Sequence, residues 1–335
     1  MNYIEEKSFS EVFKAEYRDG IAKLIENREK AADKIREKNC EDIFINQEYH
    51  RKRLKDMLGW PLNDDSFDYD TTVAQEKLSD EGDYSIYRMH FKILDEITMT
   101  GLLFKYNDNK KRPFVITQHG GEGTPELISG IYGDTTNYND MAQRVVALGA
   151  NIFAPQLILW KAENYGAEYD RIALDGRLKR VGSSITAIEI FGIKKILDYF
   201  EKKDYVNNFG MVGLSYGGFY TLFTTAIDTR IKSAISCSFF NTRKNYAWPD
   251  WTWNNSAEKF NDAEVACLIY PRKLCIELGT EDALFNYQYG VDEVKRLQKI
   301  CERKDDNWLS FLHYEGGHEF SKDDEPLKRL IEQLK

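Results

Sequence analysis

The sequence is poor in cysteine and has no excess of positive charge. Its five cysteines lie far apart and form neither a C-x-x-C pair nor the ligand spacing of a metal site. We therefore expect reduced thiols and no bound metal. The 46 basic residues are outnumbered by 55 acidic ones, which gives a net charge of −9. This balance argues against a nucleic-acid partner, because such a partner requires a basic protein face.

Long apolar runs are also missing. No stretch of about 18 apolar residues occurs, so we expect no membrane span. Residues 1–7 lack the basic and apolar regions of a secretory signal peptide. Together with the reduced cysteines, this predicts a cytoplasmic location. Nothing in the sequence indicates an oligomeric state.

The chain of 335 residues suits one large domain with an N-terminal appendage. Residues 1–60 are predicted to form a helical arm packed on the main domain, because their apolar residues recur at helical spacing. Residues 61–335 are expected to form the main domain. Two β-rich runs, 84–94 and 97–106, predict an antiparallel hairpin at the edge of a sheet.

After the hairpin, strands alternate with helices. This order predicts an α/β fold, a mostly parallel mixed sheet with helices on both faces. The predicted strands are 114–118, 151–155, 209–212, 231–237, 274–278 and 308–313, and the main predicted helices are 139–148, 185–200, 219–227, 289–301 and 326–334. Two segments, 157–182 and 239–269, fit no element and are expected to be insertions at the carboxyl edge of the sheet, where ligands bind.

The most informative motif is GLSYG at residues 213–217. It lies between a predicted strand and a predicted helix, and a G-x-S-x-G at such a turn exposes the serine, here Ser215, as a nucleophile. The flanking glycines are expected because a Cβ at either position would collide with the crossing strand and helix. The pentapeptide alone is a weak signal, so its interpretation depends on finding a base and an acid.

A serine nucleophile needs a base, and the base needs an orienting carboxylate. At turns of this type the chain order is serine, acid, histidine. Of the five histidines, only His313 and His318 follow Ser215 in the chain. His313 falls within a predicted strand, whereas His318 follows two glycines at its end, so His318 is the candidate base. Asp282 follows the preceding strand and is the favoured acid, with Glu281 as the alternative.

An oxyanion in the transition state needs backbone N–H donors. The backbone of Tyr216, directly after the serine, is expected to supply one. The other is expected from HGGEG at residues 119–123, where Gly121 is the favoured donor and Gly120 the alternative. His119, which opens this motif, is a candidate substrate-binding residue.

Aromatic residues crowd the second insertion: Tyr246, Trp248, Trp251 and Trp253. The three tryptophans are candidates for substrate binding, since their rings could stack on a sugar. They could equally anchor the insertion to the core, and both interpretations stay open. Arg171, Arg177 and Arg180 are expected to pair with neighbouring acids rather than with a substrate carboxylate.

The motifs HGGEG, GLSYGG, GTEDALF and GGHEF resemble those of the α/β-hydrolase superfamily, and within it the acetyl xylan esterase and dienelactone hydrolase-like group. IYPRKL at 269–274 is similar to the stretch before that group's acid-bearing strand, although Lys273 stands where a proline is usual. The resemblance covers roughly residues 80–335 and, more loosely, residues 51–62. It implies a serine esterase fold without metal or cofactor and does not fix the substrate.

The sequence therefore predicts a serine carboxylesterase that acts on small-molecule esters through an acyl-enzyme. Short acyl groups are expected, and acetylated sugars are the specific hypothesis. Two alternatives remain. One is a peptidase that resembles the prolyl oligopeptidase catalytic domain without its propeller, and the other is a non-catalytic binding protein on the same scaffold.

Overall fold

A computed structural model describes residues 1–108, 110–159, 169–302, 304 and 306–335. Its strands in chain order are β1 Thr72–Asp80, β2 Tyr84–Leu94, β3 Ile97–Tyr106, β4 Arg112–Gln118, β5 Asn151–Pro155, β6 Val206–Leu214, β7 Ile231–Cys237, β8 Lys273–Gly279 and β9 Leu309–Tyr314. In the described residues they form one sheet with the order β1-β2-β3-β5-β4-β6-β7-β8-β9.

Helices cover this sheet on both faces. They are α1 Lys7–Asn39, α2 Gln47–Leu58, α3 Pro125–Ile128, α4 Met141–Ala147, α5 Arg171–Arg180, α6 Ile185–Glu201, α7 Tyr216–Ile227, α8 Asp262–Cys267, α9 Tyr287–Ile300 and α10 Glu325–Leu334. Short 3₁₀ turns occur at 136–138, 243–245, 249–251, 256–258 and 306–308. Of the helices described, none is long and apolar enough to cross a membrane.

The predicted mixed sheet is confirmed, with one correction. β2 and β3 form the antiparallel hairpin. The strands β5, β4, β6, β7, β8 and β9, in this spatial order, pair in parallel. The hairpin was wrongly placed at the sheet edge, because β1 pairs with the outer side of β2. The residues of β1 are almost all exposed, so no alternation of apolar and polar residues marked it as a strand.

Alternate side chains of the central strands point to opposite faces of the sheet. Phe114 and Ile116 of β4 join the larger core beneath α6 and α7, whereas Val115 joins the smaller core beneath α4 and α10. Each fully buried side chain of this size contributes about 1.5–3 kcal/mol relative to exposure. The two cores hold the carboxyl ends of β4, β6, β8 and β9 at one edge.

The segments expected to be insertions contain more structure than the sequence indicated. Residues 160–168 of the first lie outside the described residues, and the rest of it contains α5. Arg171 and Asp175 are the buried residues of α5, so this helix has no apolar stripe by which to recognise it. The second insertion contains three 3₁₀ turns and α8.

The arm predicted for residues 1–60 consists of α1 and α2. α2 packs on the main body through Leu54, Met57 and Leu58. α1 makes buried contacts only near its end, where Arg36 pairs with Glu264 at 3.2 Å. The division of the chain into an arm and a catalytic domain stays a prediction.

Candidate active site

Ser215 occupies the sharp turn between β6 and α7. Its backbone has φ 61° and ψ −122°, a conformation that costs a residue with a side chain about 1–3 kcal/mol. The Ser215 N–H donates to the carbonyl oxygen of Cys237 on the neighbouring strand at 2.9 Å. Such strain persists only where the surrounding structure enforces it, and here it presents the serine at the carboxyl edge of the sheet.

Close packing around this turn explains the glycines on either side of Ser215. A Cβ on Gly213 would lie 2.4 Å from the backbone of Gly217, and a Cβ on Gly217 would lie 2.1 Å from the carbonyl oxygen of Gln118. No side chain fits at such distances. The strand and helix can therefore cross this closely only with glycine at both positions.

His318 and Asp282 lie on neighbouring loops at the same edge of the sheet. His318 Nδ1 is 2.8 Å from Asp282 Oδ2. The other carboxylate oxygen, Oδ1, accepts the N–H groups of Leu284 and Phe285, each at 2.8 Å. A carboxylate held in this way can keep a proton on Nδ1 and leave Nε2 of the imidazole as a base. Glu281, the alternative acid, is exposed to solvent.

The loop that carries His318 is held by backbone contacts. A Cβ on Gly279, at the end of β8, would lie 2.5 Å from the carbonyl oxygen of Gly317, so glycine is needed where the two loops meet. The side-chain amide of Asn137 donates to the His318 carbonyl at 2.9 Å. His313, in contrast, is exposed on β9.

The HGGEG loop passes beside the serine. A Cβ on Gly120 would lie 3.1 Å from the Cβ of Ser215, and the Gly120 N–H donates to the hydroxyl of Tyr138 at 2.7 Å. In the part of the chain that the structure describes, the Gly121 N–H has no hydrogen-bond acceptor. Tyr216 begins α7, and the N–H groups of a first helical turn lie at the positive end of the helix dipole.

The His119 side chain is fully buried behind this loop. Its Nε2 accepts the Leu157 N–H at 3.0 Å, so Nδ1 is the protonated nitrogen and donates to the Gly120 carbonyl at 2.9 Å. Burial lowers the pKa of His119 to about 4. These contacts favour a structural role over the substrate contact expected from the sequence.

A chain of aromatic rings connects the serine turn with His318. The ring centroids of Trp248 and Tyr216 are 6.0 Å apart, those of Trp248 and Phe285 are 5.9 Å apart, and those of Phe285 and His318 are 5.5 Å apart. Trp248 is half-buried. It is therefore the tryptophan of the second insertion best placed to present a ring face to a bound molecule.

The other two tryptophans are 3% (Trp251) and 6% (Trp253) exposed. Their rings lie 5.4 and 6.4 Å from that of Phe219 in α7. This burial favours the interpretation that they anchor the insertion to the core.

A buried polar cluster that the sequence analysis did not identify lies behind Tyr216. Asp250 Oδ2 accepts the Tyr216 hydroxyl at 2.9 Å and Arg171 Nε at 2.8 Å. Arg171 also contacts Glu189 at 3.2 Å and the Tyr220 hydroxyl at 2.9 Å, and Tyr220 donates to Glu189. Burial raises the pKa of Glu189, although Arg171 opposes that shift.

The charged partners of Arg171 are acids, as expected, but they are not its neighbours in the sequence. Glu189 is 18 positions away and Asp250 is 79 positions away. Arg177 and Arg180 are exposed. No local pattern signals a cluster assembled from such separated residues.

No protein-family model and no curated protein matches the sequence. Solved structures do match. A Bacteroides fragilis protein provisionally described as an acetyl xylan esterase has a TM-score of 0.64 and 17% identity over 80% of this chain and 74% of that chain. A glucuronoyl esterase from Solibacter usitatus has a TM-score of 0.62 and 14% sequence identity, and the match covers 87% of this chain and 93% of that chain. Acetyl xylan esterase 1 from Thermoanaerobacterium has a TM-score of 0.58 and 13% sequence identity, and the match covers 88% of this chain and 94% of that chain.

In each case the structural similarity covers most of both chains. The chain has the α/β-hydrolase fold. In this fold the nucleophile, acid and histidine follow one another along the chain, and Ser215, Asp282 and His318 follow β6, β8 and β9 in that order. Within the described ranges, no group of three or more His, Cys, Asp or Glu side chains is arranged to hold a metal ion.

Proposed function

We propose that the protein is a serine carboxylesterase with Ser215, His318 and Asp282 as its catalytic residues. The observation that supports this most is the His318–Asp282 hydrogen bond at the sheet edge that also presents the strained Ser215. Ser215 Oγ attacks the ester carbonyl while His318 Nε2 accepts its proton. His318 then returns the proton to the departing alcohol, and water releases the acyl group by the reverse sequence.

We further propose that the backbone N–H groups of Tyr216 and Gly121 stabilise the oxyanion. The place of Tyr216 at the start of α7 supports the first assignment. The second is supported by the hydrogen bond that Gly120 already donates to Tyr138, which leaves Gly121 as the better donor in this loop. The proposed reaction requires no metal and no cofactor.

The substrate class that we propose is a small ester with a short acyl group, with acetylated sugars as the specific candidates. The names of the similar solved structures, acetyl xylan esterase and glucuronoyl esterase, support ester hydrolysis on carbohydrates. The half-buried Trp248 supports it too, since an indole face suits the apolar face of a sugar ring.

An ester panel tests this proposal. Purified protein is assayed with p-nitrophenyl acetate, butyrate and octanoate, with acetylated xylo-oligosaccharides, and with aminoacyl-p-nitroanilides. We expect the highest kcat/KM for acetate among the p-nitrophenyl esters and release of acetate from the sugars. A preference for octanoate would contradict the short-acyl assignment, and hydrolysis of the anilides at rates above those of all esters would favour the peptidase.

A further inference from the structure

The N-terminal two thirds of α1 project from the rest of the molecule. All residues from Lys7 to Arg28 are exposed except the half-buried Ala15. The buried positions of α1, Ala32 and Arg36, lie near its C-terminal end, where it contacts the 3₁₀ turn at 256–258. At about 1.5 Å per residue, residues 7–28 extend about 33 Å, and no element of the described part of the chain covers them.

This projecting segment is rich in large apolar side chains. Seven of them, each between 43% and 75% exposed, are Phe9, Val12, Phe13, Tyr17, Ile21, Leu24 and Ile25. Phe9, Phe13, Tyr17, Ile21 and Leu24 follow one another at intervals of four, four, four and three, so they line one side of the helix. We call this the α1 stripe.

An uncovered helix of this kind is unfavourable in water. Most helical stability in proteins comes from packing an apolar face rather than from intrinsic propensity. The exposed apolar area of the segment is roughly 700 Å², larger than the patches that monomeric proteins usually expose and close to the roughly 800 Å² per partner of a standard interface. Residues 7–28 therefore expose about as much apolar surface as one half of a stable dimer contact.

The charges of the segment indicate which partner covers it. Residues 7–28 contain five basic and four acidic residues, whereas the whole chain has a net charge of −9. A membrane-surface helix has a polar face rich in Lys and Arg, whereas this segment carries nearly equal numbers of basic and acidic residues. A nearly neutral, mixed-charge helix can approach a second copy of itself without net repulsion, and two-fold symmetry needs such a self-complementary surface.

We propose that the α1 stripe is a homodimer interface, in which residues 7–28 of one copy pack against the same segment of a second copy. Because the apolar intervals are mostly four residues, the contact is a short helix crossing rather than a long coiled coil. The interface is independent of the proposed active site, since none of the described contacts of Ser215, His318 or Asp282 involves residues 7–28.

Sedimentation velocity and light scattering on the full chain test the proposal, from low to high micromolar concentration. The test variant is Phe13→Glu with Leu24→Glu. Its matched control is Ser8→Glu with Ala22→Glu, which adds the same charge at exposed positions on the opposite side of the same helix. Ester turnover is measured on all proteins and we expect it to be unchanged, while far-UV circular dichroism verifies that the main body of each variant stays folded.

We expect wild type and control at twice the chain mass of 39.1 kDa, and the test variant at 39.1 kDa. A wild type that stays at the chain mass at every concentration would overturn the proposal, as would a test variant that remains dimeric. Monomeric wild type that sediments with phosphatidylcholine–phosphatidylserine vesicles would assign the stripe to a membrane instead. Because mass and turnover are read separately, failure of the dimer and failure of the esterase proposal are distinguishable.

Discussion

The hydroxyl of Tyr216 donates a hydrogen bond to Asp250 Oδ2 at 2.9 Å, and Arg171 donates to the same oxygen at 2.8 Å. Tyr216 directly follows Ser215, while Arg171 and Asp250 belong to different segments after β5 and β7. The bond therefore connects the proposed oxyanion donor to both insertions. We expect this cluster to position the backbone of the serine turn.

Tyr216→Phe should lower kcat roughly tenfold with little change in KM, because a small displacement of the oxyanion donor weakens transition-state binding more than substrate binding. Tyr220→Phe is the matched control, since it removes the other tyrosine hydroxyl of the same cluster, one helical turn from the serine. Steady-state kinetics on p-nitrophenyl acetate measure both. An unchanged kcat in Tyr216→Phe would mean that the cluster serves stability alone.

The acid assignment predicts different outcomes for two adjacent carboxylates. Asp282→Asn should reduce kcat by about 10³–10⁴, because an amide at this position favours the wrong imidazole tautomer. Glu281→Gln should stay within about twofold of wild type, since this side chain is exposed and surface substitutions of this kind have small effects. A large loss in Glu281→Gln together with an active Asp282→Asn would reverse the assignment.

Much of the fold could be predicted because its central elements have strong patterns. β7 was predicted with its observed bounds, and α6 to within one residue, because both are apolar and sharply delimited. β1 and α5 were missed for the opposite reason. β1 is largely exposed on both faces, and the buried residues of α5 are charged, so neither shows the periodicity on which such predictions rest.

The candidate site divides in the same way. Ser215, Asp282 and His318 could be proposed because each follows a recognisable strand, and strand ends of a parallel sheet meet at one edge. The cluster of Arg171, Glu189 and Asp250 could not be predicted from the sequence, because it depends on how two irregular insertions fold back on α7.

Replacement of glycine by alanine is predicted to change stability in opposite directions at Gly217, in the serine turn, and at Gly176, in α5. Gly217→Ala should destabilise the protein by about 1–3 kcal/mol or more, since the new Cβ would lie 2.1 Å from the Gln118 carbonyl. Gly176→Ala, in α5, meets no atom of the described residues within 4 Å and should stabilise by about 0.5–1 kcal/mol through helix propensity. Urea denaturation measures both. Equal free energies of unfolding for the two variants would contradict the observed packing.

Because the carboxyl group of Glu277 is buried, we expect the stability of the protein to depend on pH. Burial raises its pKa to about 7, and Oε2 has no hydrogen-bond partner in the described residues. Between its ordinary pKa of 4.5 and about 7 the folded state retains a proton that the unfolded state has lost, so stability from this group falls as pH rises through that window.

Glu277→Gln removes this titration. The variant should be more stable than wild type by up to roughly 3 kcal/mol near pH 8, with the gain shrinking towards about pH 5. Free energies of unfolding in urea at the two pH values measure the effect. A difference between variant and wild type that does not change with pH would show that Glu277 does not titrate in this range.

The most direct test of the proposed esterase is the reactivity of Ser215. Wild type and Ser215→Ala are treated with a fluorophosphonate probe, the labelled peptide is identified by mass spectrometry, and p-nitrophenyl acetate turnover is measured on the same samples, with circular dichroism to verify folding. We expect wild type to be labelled at Ser215 and Ser215→Ala to be folded, unlabelled and slower by at least about 10³-fold. Unchanged turnover in a folded Ser215→Ala, or labelling at a different serine, would contradict the proposed mechanism.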